Sequence, residues 1–373
     1  MLYKGIARPM LNFFSRKDPE IAHDIAIAAL KMINNQRMLL HGLNWLTTPS
    51  TNTHLAQNIL GLRFPNPIGL AAGFDKSIAV PQAISAFGFG FIEAGTVTRY
   101  AQTGNPRPRI VRFPEHRALV NAMGFPNHGE SLIRIRLKQK PVELAIPFGV
   151  SIGKSKGTPM ARAIEEYCHL LRSFYFIGDY TVVNISSPNT LGLRALQAKE
   201  YFDELVQALV AERESILREC EIPRRNPIFI KISPDLSWEE RDDVLEICRK
   251  HGVDGIIAVN TTLDHSVLRS EQKYQGGLSG QPLLHKSLNA VRYIRSHMPK
   301  NFVVIGVGGI RTVEDVYHMF SAGADLIQIL TAGFTEGPFL PRKLARGLYR
   351  LMRRDGIKDI AQLKERGLER CSR

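Results

Sequence analysis

Tyr180-Thr181-Val182-Val183-Asn184-Ile185-Ser186-Ser187-Pro188-Asn189-Thr190 passes without a break from an apolar, β-branched run into a cluster of amides and hydroxyls. The first half reads as a buried strand. The second half carries more hydrogen-bonding capacity than a strand end usually exposes unless a polar ligand uses it. Asn, Ser and Pro are also ordinary turn formers, so alone the stretch is equally a capped turn. Its weight comes from repetition. Short apolar runs recur at 66–72, 89–94, 146–152, 180–185, 227–232, 254–259, 302–307 and 325–330. Most are rich in Val and Ile without strict alternation, the pattern of strands covered on both faces.

Helical patterns with apolar residues at three- and four-residue spacing fall between them, at 160–176, 198–219, 237–251, 287–298 and 313–322. This order predicts the α/β class and a closed (β/α)8 TIM barrel, a fold of about 250 residues. The long interval between the second and third strands holds 107–113 and 118–125, which read as an inserted hairpin or lid. The barrel is expected over 46–373, with a small N-terminal helical extension over 1–45.

A chain of 373 residues with 44% hydrophobic content can bury a substantial core. No apolar run approaches the roughly 18–20 residues of a membrane span, and the first residues lack the pattern of a secretory signal. Cys168, Cys220, Cys248 and Cys371 form no Cys-x-x-Cys pair, and the eleven histidines form no His-Glu-x-x-His motif. Reduced thiols and no metal are expected. The net charge of +14 is spread over many helices and the run 342–373, without interleaved aromatics. Anionic lipid or phosphate-bearing ligands explain it with fewer assumptions than nucleic acid, which is not expected as a partner.

In a barrel of this kind the site lies at the C-terminal strand ends. Polar or glycine-rich signatures stand at each: 72–76, 95–98, 151–154, 184–190, 231–235, 260–262, 306–309 and 330–333. Gly308 and Gly309 remove side chains where backbone N–H groups could meet a phosphate, and Thr331 to Gly333 repeats the arrangement on the next strand. The run 149–155 is one residue short of a P-loop, and Arg311 stands where a dinucleotide fingerprint needs its third glycine. Lys76 and Lys231 would place cations at the rim of an apolar barrel, which is costly unless each meets a negative group. A substrate carboxylate and an electron-rich cofactor are the expected partners.

Several ordered motifs together carry a resemblance: Ala71-Ala72-Gly73-Phe74-Asp75-Lys76, Gly95-Thr96-Val97-Thr98, Asn121-Ala122-Met123-Gly124-Phe125, Asn184 to Thr190 with Gly192-Leu193-Arg194, Lys231-Ile232-Ser233-Pro234-Asp235, Asn260-Thr261-Thr262, Gly276 to Gly280 and Gly306 to Gly309. Over nearly its whole length the chain resembles the class 2, quinone-dependent dihydroorotate dehydrogenases. The resemblance implies an FMN barrel that oxidises dihydroorotate to orotate in pyrimidine synthesis and passes electrons to a membrane quinone. It makes Ser187 the base, a position that is Cys in class 1, with Thr190 and Phe125 helping to seal the site and relay the proton. Lys76, Asn121, Ala122, Met123, Gly124, Phe125, Asn184, Asn189, Asn260 and Thr261 become substrate contacts. FMN falls to Ala72, Gly73, Thr96, Ser151, Asn184, Lys231, Val259, Gly280, Gly309, Leu330 and Thr331.

The extension also gains a purpose from the resemblance. It carries helical patterns around 10–14 and 18–33, with Asp18-Pro19-Glu20 as a helix start. Leu2, Met10, Leu11, Phe13 and Phe14 beside Lys4, Arg8, Arg16 and Lys17 suit an element lying on an anionic membrane surface. In the family such a segment forms the quinone tunnel, where His23 and Arg112 match the quinone site. A peripheral position on the cytoplasmic face of the cell's inner membrane follows. The chain departs from the family pattern at Ala122 (usually Arg), Pro126 (Asn), Ser151 (Asn), Leu191 (Pro), Val259 (Thr) and Leu330 (Tyr). Two alternatives stand beside this reading: a related FMN barrel with another cyclic amide or a soluble acceptor, and a flavin-free barrel that docks to membranes.

Overall fold

The computed structural model describes residues 18–48, 52–221, 225–269 and 274–371. Eight strands close a barrel in chain order: β1 (Ile68–Leu70), β2 (Phe91–Val97), β3 (Phe148–Ile152), β4 (Tyr180–Asn184), β5 (Ile228–Lys231), β6 (Gly255–Ala258), β7 (Val303–Val307) and β8 (Leu326–Ile329). Every neighbouring pair is parallel, and Ile327 of β8 opposite Ile68 of β1 completes the ring. All eight lie within two or three residues of the runs read from the sequence. They are buried on both faces, which is why alternation was weak.

Interior side chains, among them Phe91, Tyr180, Phe229, Val303 and Leu326, pack with Leu62 and Phe64 into one cluster. Leu62 and Phe64 come from a hairpin of Gln57–Ile59 and Leu62–Phe64. The Phe64 ring meets Phe91 edge-on at 5.4 Å, and Gln57 Nε2 donates to Asp325 O, just ahead of β8, at 2.9 Å. The hairpin therefore stoppers the N-terminal end of the barrel, leaving the opposite end for chemistry.

The outer helices follow the expected apolar periodicity. Ser237 and Glu240 form a capping box at the start of Trp238–His251, and Thr312 and Asp315 form another at Val313–Ser321. The inserted excursion is a hairpin, Ile110–Phe113 antiparallel to Ala118–Asn121. A third strand, Gly277–Gly280, pairs with Ala118–Asn121. In the sequence its glycines stand out only as a motif of the resemblance, with Gly280 an expected FMN contact.

Ahead of the barrel lie α1 (Glu20–Ile33) and α2 (Arg37–Thr47), so α2 runs through the expected boundary at 45. The pattern around 10–14, with the apolar and basic residues beside it, lies outside the described residues. Asp18 Oδ1 accepts from Glu20 N at 3.0 Å, capping the first turn of α1. The stronger tie is lateral. Glu20 takes both Nε and Nη2 of Arg109 at 2.8 Å each, and both side chains are buried. Arg109 Nη1 also donates to Thr103 O and Asn105 O at 2.6 and 2.8 Å. This pins α1 across the insertion, leaving Met32, Met38 and Trp45 at 77%, 90% and 79% exposure.

Removing one member of a buried ion pair costs up to about 3–5 kcal/mol, and here, among the described residues, Glu20 would be left with Arg107 Nε alone, 3.2 Å from its Oε2. Arg109→Leu should therefore lower stability by up to that amount, read as a loss in urea midpoint. The double variant with Glu20→Leu should recover part of it.

Candidate active site

Three strand ends are stitched together by hydroxyls and one amide. Ser151 Oγ on β3 lies 2.9 Å from Thr96 Oγ1 on β2, and Asn184 Nδ2 on β4 donates to the same Thr96 oxygen at 2.9 Å. Asn184 Oδ1 accepts from Ser186 N and Oγ at 3.3 and 3.2 Å and from Asn260 Nδ2 at 3.3 Å. Much of the polarity of residues 184–190 is thus internal scaffolding. Ser151 forms its share of it with a hydroxyl in place of an amide.

Capacity remains beyond the scaffold. Among the described residues Ser187 Oγ accepts only a long hydrogen bond from Asn189 N, 3.3 Å. Asn189 Nδ2 donates to Asn121 Oδ1 at 3.1 Å, and Asn105 Nδ2 donates to Asn189 O at 3.1 Å, tying this loop to the insertion. Asn189 Oδ1, Thr190 Oγ1 and Thr261 Oγ1 are buried without a hydrogen-bond partner among the described residues. Buried polar atoms of that kind await a ligand or water.

Beneath them Lys231 is buried, and its ammonium stands 3.9 Å from Glu93 Oε1, beyond hydrogen-bond reach. Glu93 Oε2 accepts from Gln328 Nε2 at 2.6 Å. Glu93 and Gln328 escaped the sequence reading. The available signal was a carboxylate and an amide inside otherwise apolar strand runs.

Beside Lys231 the backbone forms a cradle. Gly308 and Gly309 have φ of +115° and +78°, and a Cβ at Gly309 would sit 2.4 Å from Leu284 N. A Cβ at Gly280, φ +100°, would sit 2.4 Å from Arg117 O. Ala72, Val259, Gly280, Gly309, Leu330 and Thr331 line this recess together with Lys231. Thr331 Oγ1 donates to Ser279 Oγ at 3.0 Å. A buried cation with no hydrogen-bond acceptor among the described residues, next to glycines that bare the backbone, fits a phosphate-bearing, electron-rich ring system such as FMN.

A cavity of about 690 Å3 runs from Ser187, Asn189, Lys231, Asn260 and Thr261 to the apolar underside of α1, at Ala22, Ala26 and Leu30. Asn121, Met123, Gly124 and Phe125 line it, whereas Ala122 does not. Gly73, Thr96, Asn184, Leu330, His23, Arg112 and Lys76 line it as well. Ser151 and Thr190 stand behind the walls. The sequence reading gave Lys76 and His23 to different ligands, yet their nitrogens are 3.2 Å apart. His23 Nε2 is also 2.7 Å from Phe74 O. Burial, then the neighbouring Lys76 charge, hold the His23 imidazole down to about 4, so it is neutral at pH 7. Burial likewise pulls the Lys76 ammonium down to about 8, against the opposing pull of Glu20 and Asp24. Arg112 Nη2 donates to Pro19 O at 3.2 Å at the foot of α1.

Residues 54–352 match the family model described as dihydroorotate dehydrogenase. The chain is 43% identical over 354 residues to the dihydroorotate dehydrogenase (quinone) of Chloroflexus aurantiacus, covering 93% of this chain and 96% of that one. It is 40% identical over 357 residues to the enzyme of the same name from Thermus thermophilus, covering 95% and 99%. Among solved structures, the Eimeria tenella DHODH in complex with ferulenol superposes with a TM-score of 0.82 at 33% identity, covering 95% of this chain and 96% of that one.

Gly309→Ala tests the cradle directly. The added methyl meets backbone at 2.4 Å in a left-handed conformation, so the loop must shift. Phosphate-bearing ligand affinity should fall by at least tenfold in a binding titration, about 1.4 kcal/mol, and thermal stability should also drop.

Proposed function

The chain belongs to the dihydroorotate dehydrogenase family in its quinone-linked class, oxidoreductases of pyrimidine biosynthesis, and on that premise we propose that it holds FMN at the Lys231–Gly309 recess, uses Ser187 as base and delivers electrons to a membrane quinone through the cavity beneath α1. The observation that carries the proposal is that single cavity, polar at Ser187 and apolar at α1. It offers one wall to a small polar amide and another to a greasy ring.

Bound FMN would take the hydride from C6 of dihydroorotate and pass the electrons on. The protein's own work is orientation and proton movement. Lys76 supplies a cation for the substrate carboxylate, while Asn121, Asn189, Asn260 and Thr261 pair with the ring amides. Ser187 Oγ takes the C5 proton as its own hydroxyl proton passes on, and the Asn189 N–H, which donates to that oxygen at 3.3 Å, helps to hold it in place. A lone serine is a weak base, so the proton must move on, and the buried, unpartnered Thr190 hydroxyl supports a relay there. Phe125, in a left-handed turn at φ 52° after Gly124, closes the site over Thr96 and Gly153. Ala72, Gly73, Thr96, Asn184, Val259, Gly280, Leu330 and Thr331 complete the flavin contacts, with Ser151 acting from behind them through its hydrogen bond to Thr96.

His23 and Arg112 serve the quinone. Leu330 lacks the hydroxyl usual in the family, so the head group depends more on these two. Met32, Met38 and Trp45 stand exposed on or beside the helices over the apolar arm, which supports docking on an anionic membrane surface. The position is peripheral, on the cytoplasmic face of the inner membrane. Among the described residues no helix is long and apolar enough to cross a membrane.

Purified protein should be yellow, and anaerobic dihydroorotate should bleach the flavin. Ser187→Ala should slow that bleaching by about 10²–10⁴, the usual worth of a general base, with FMN retained; undiminished bleaching would remove Ser187 from its role. Steady turnover should require a ubiquinone analogue rather than fumarate or NAD. Lys76 is a cation below its depressed value of about 8 and neutral above it. Orotate affinity should accordingly weaken as pH rises past 8, by up to about tenfold per unit, and Lys76→Met should flatten that profile.

A further inference from the structure

Arg194 lies in the short 3₁₀ turn Leu193–Gln197 that ends the polar loop after β4. Its guanidinium is engaged on three sides. Nε donates to Ser186 O at 3.0 Å, Nη2 to Thr261 O at 2.8 Å, and Nη1 to Asp235 Oδ2 at 2.9 Å. The two carbonyls belong to the residue immediately before Ser187 and to Thr261 itself. One rigid fork therefore spans the loops after β4 and β6.

Asp235 brings in the loop after β5. Its Oδ1 accepts from the Thr262 hydroxyl, and its Oδ2 accepts from Leu263 N at 2.9 Å. Lys286 Nζ stands 3.6 Å from Asp235 Oδ1 and 2.9 Å from Asp264 Oδ2, holding the carboxylate from the far side. The loop that carries Ser187 has little packing of its own at its tip, where Leu191 is 90% exposed. A few polar ties must fix it, and the one with three fixed directions is the planar guanidinium.

We infer that Arg194 is the positioning residue of this site, a latch that aims the Ser187 hydroxyl and the Thr261 side chain at the same substrate by gripping the backbone next to both. The inference rests on the reading of Ser187 as base and Thr261 as substrate contact. Arg194 touches neither substrate nor reacting atoms. It acts through geometry, and misplacing a catalytic group by about 1 Å costs on the order of 10²-fold in rate.

The test uses the full chain loaded with FMN. In Arg194→Ala, the rate constant for flavin reduction by dihydroorotate should fall about 10²-fold, while FMN stoichiometry and reoxidation of photoreduced flavin by a water-soluble quinone stay at the parent's values. Millimolar guanidinium ion should restore part of the lost rate. Arg194→Lys, which supplies the charge without the fork, should remain slow. Amides of 185–193 should exchange hydrogen faster in the Ala variant. A reduction rate within tenfold of the parent overturns the inference, as does a parallel fall of reduction, reoxidation and flavin content. Should Arg194→Ala not fold, Asp235→Asn, which removes the anchor and keeps the fork, is judged by the same criteria. If the parent flavin is not reduced by dihydroorotate, the functional reading fails instead. The latch is then decided by hydrogen exchange alone: faster exchange in 185–193 supports it and unchanged exchange overturns it.

Discussion

Parallel closure governs everything else in this molecule. Because every barrel strand points the same way, all eight C-terminal ends must meet at one mouth. Neighbouring strands lie about 4.7–4.9 Å apart, close enough for short side chains at adjacent ends to hydrogen-bond. Ser151, Thr96 and Asn184, on three successive strands, do so. The opposite end is filled by Leu62 and Phe64. Polarity at one end and grease at the other are consequences of a single topological choice.

What the residue pattern revealed was whatever is local. Strand runs such as 302–307 and helix patterns such as 237–251 announce themselves through composition and periodicity, so the barrel and its rim were legible. The hairpin of Gln57–Ile59 and Leu62–Phe64 was not, because it is short and turns through Leu60-Gly61, outside the usual turn dipeptides. Gly277–Gly280 hid for the opposite reason: glycine-rich and poor in strand formers, it is a strand only because Ala118–Asn121 lies beside it. Glu93 facing Lys231, and His23 touching Lys76, join residues 138 and 53 positions apart. Encounters at that range leave no trace in local spacing, though a carboxylate within a buried strand was a hint.

The apolar arm of the cavity depends on a different kind of contact. It exists because α1 lies across the mouth, and α1 lies there because Glu20 grips Arg109 of the insertion. The same insertion holds the loop of Ser187 through Asn121 and Asn105. Two walls of one cavity, from opposite ends of the reaction path proposed for it, are thus hung on one excursion of the chain. Leu330 lines the same cavity and brings no hydroxyl to it.

The pairing of Ile327 with Ile68 also bears on how the chain is made. On a ribosome β1 emerges first of the eight barrel strands and its partner β8 last, so until then one edge of the sheet has no neighbour. Long-range closures of this kind are slow and leave intermediates prone to associate. The hairpin at 57–64 appears before any barrel strand and can shelter the first apolar faces as they arrive. The mouth itself, lined by Thr331 as well as Gly73, cannot form until the last barrel strand has followed the first.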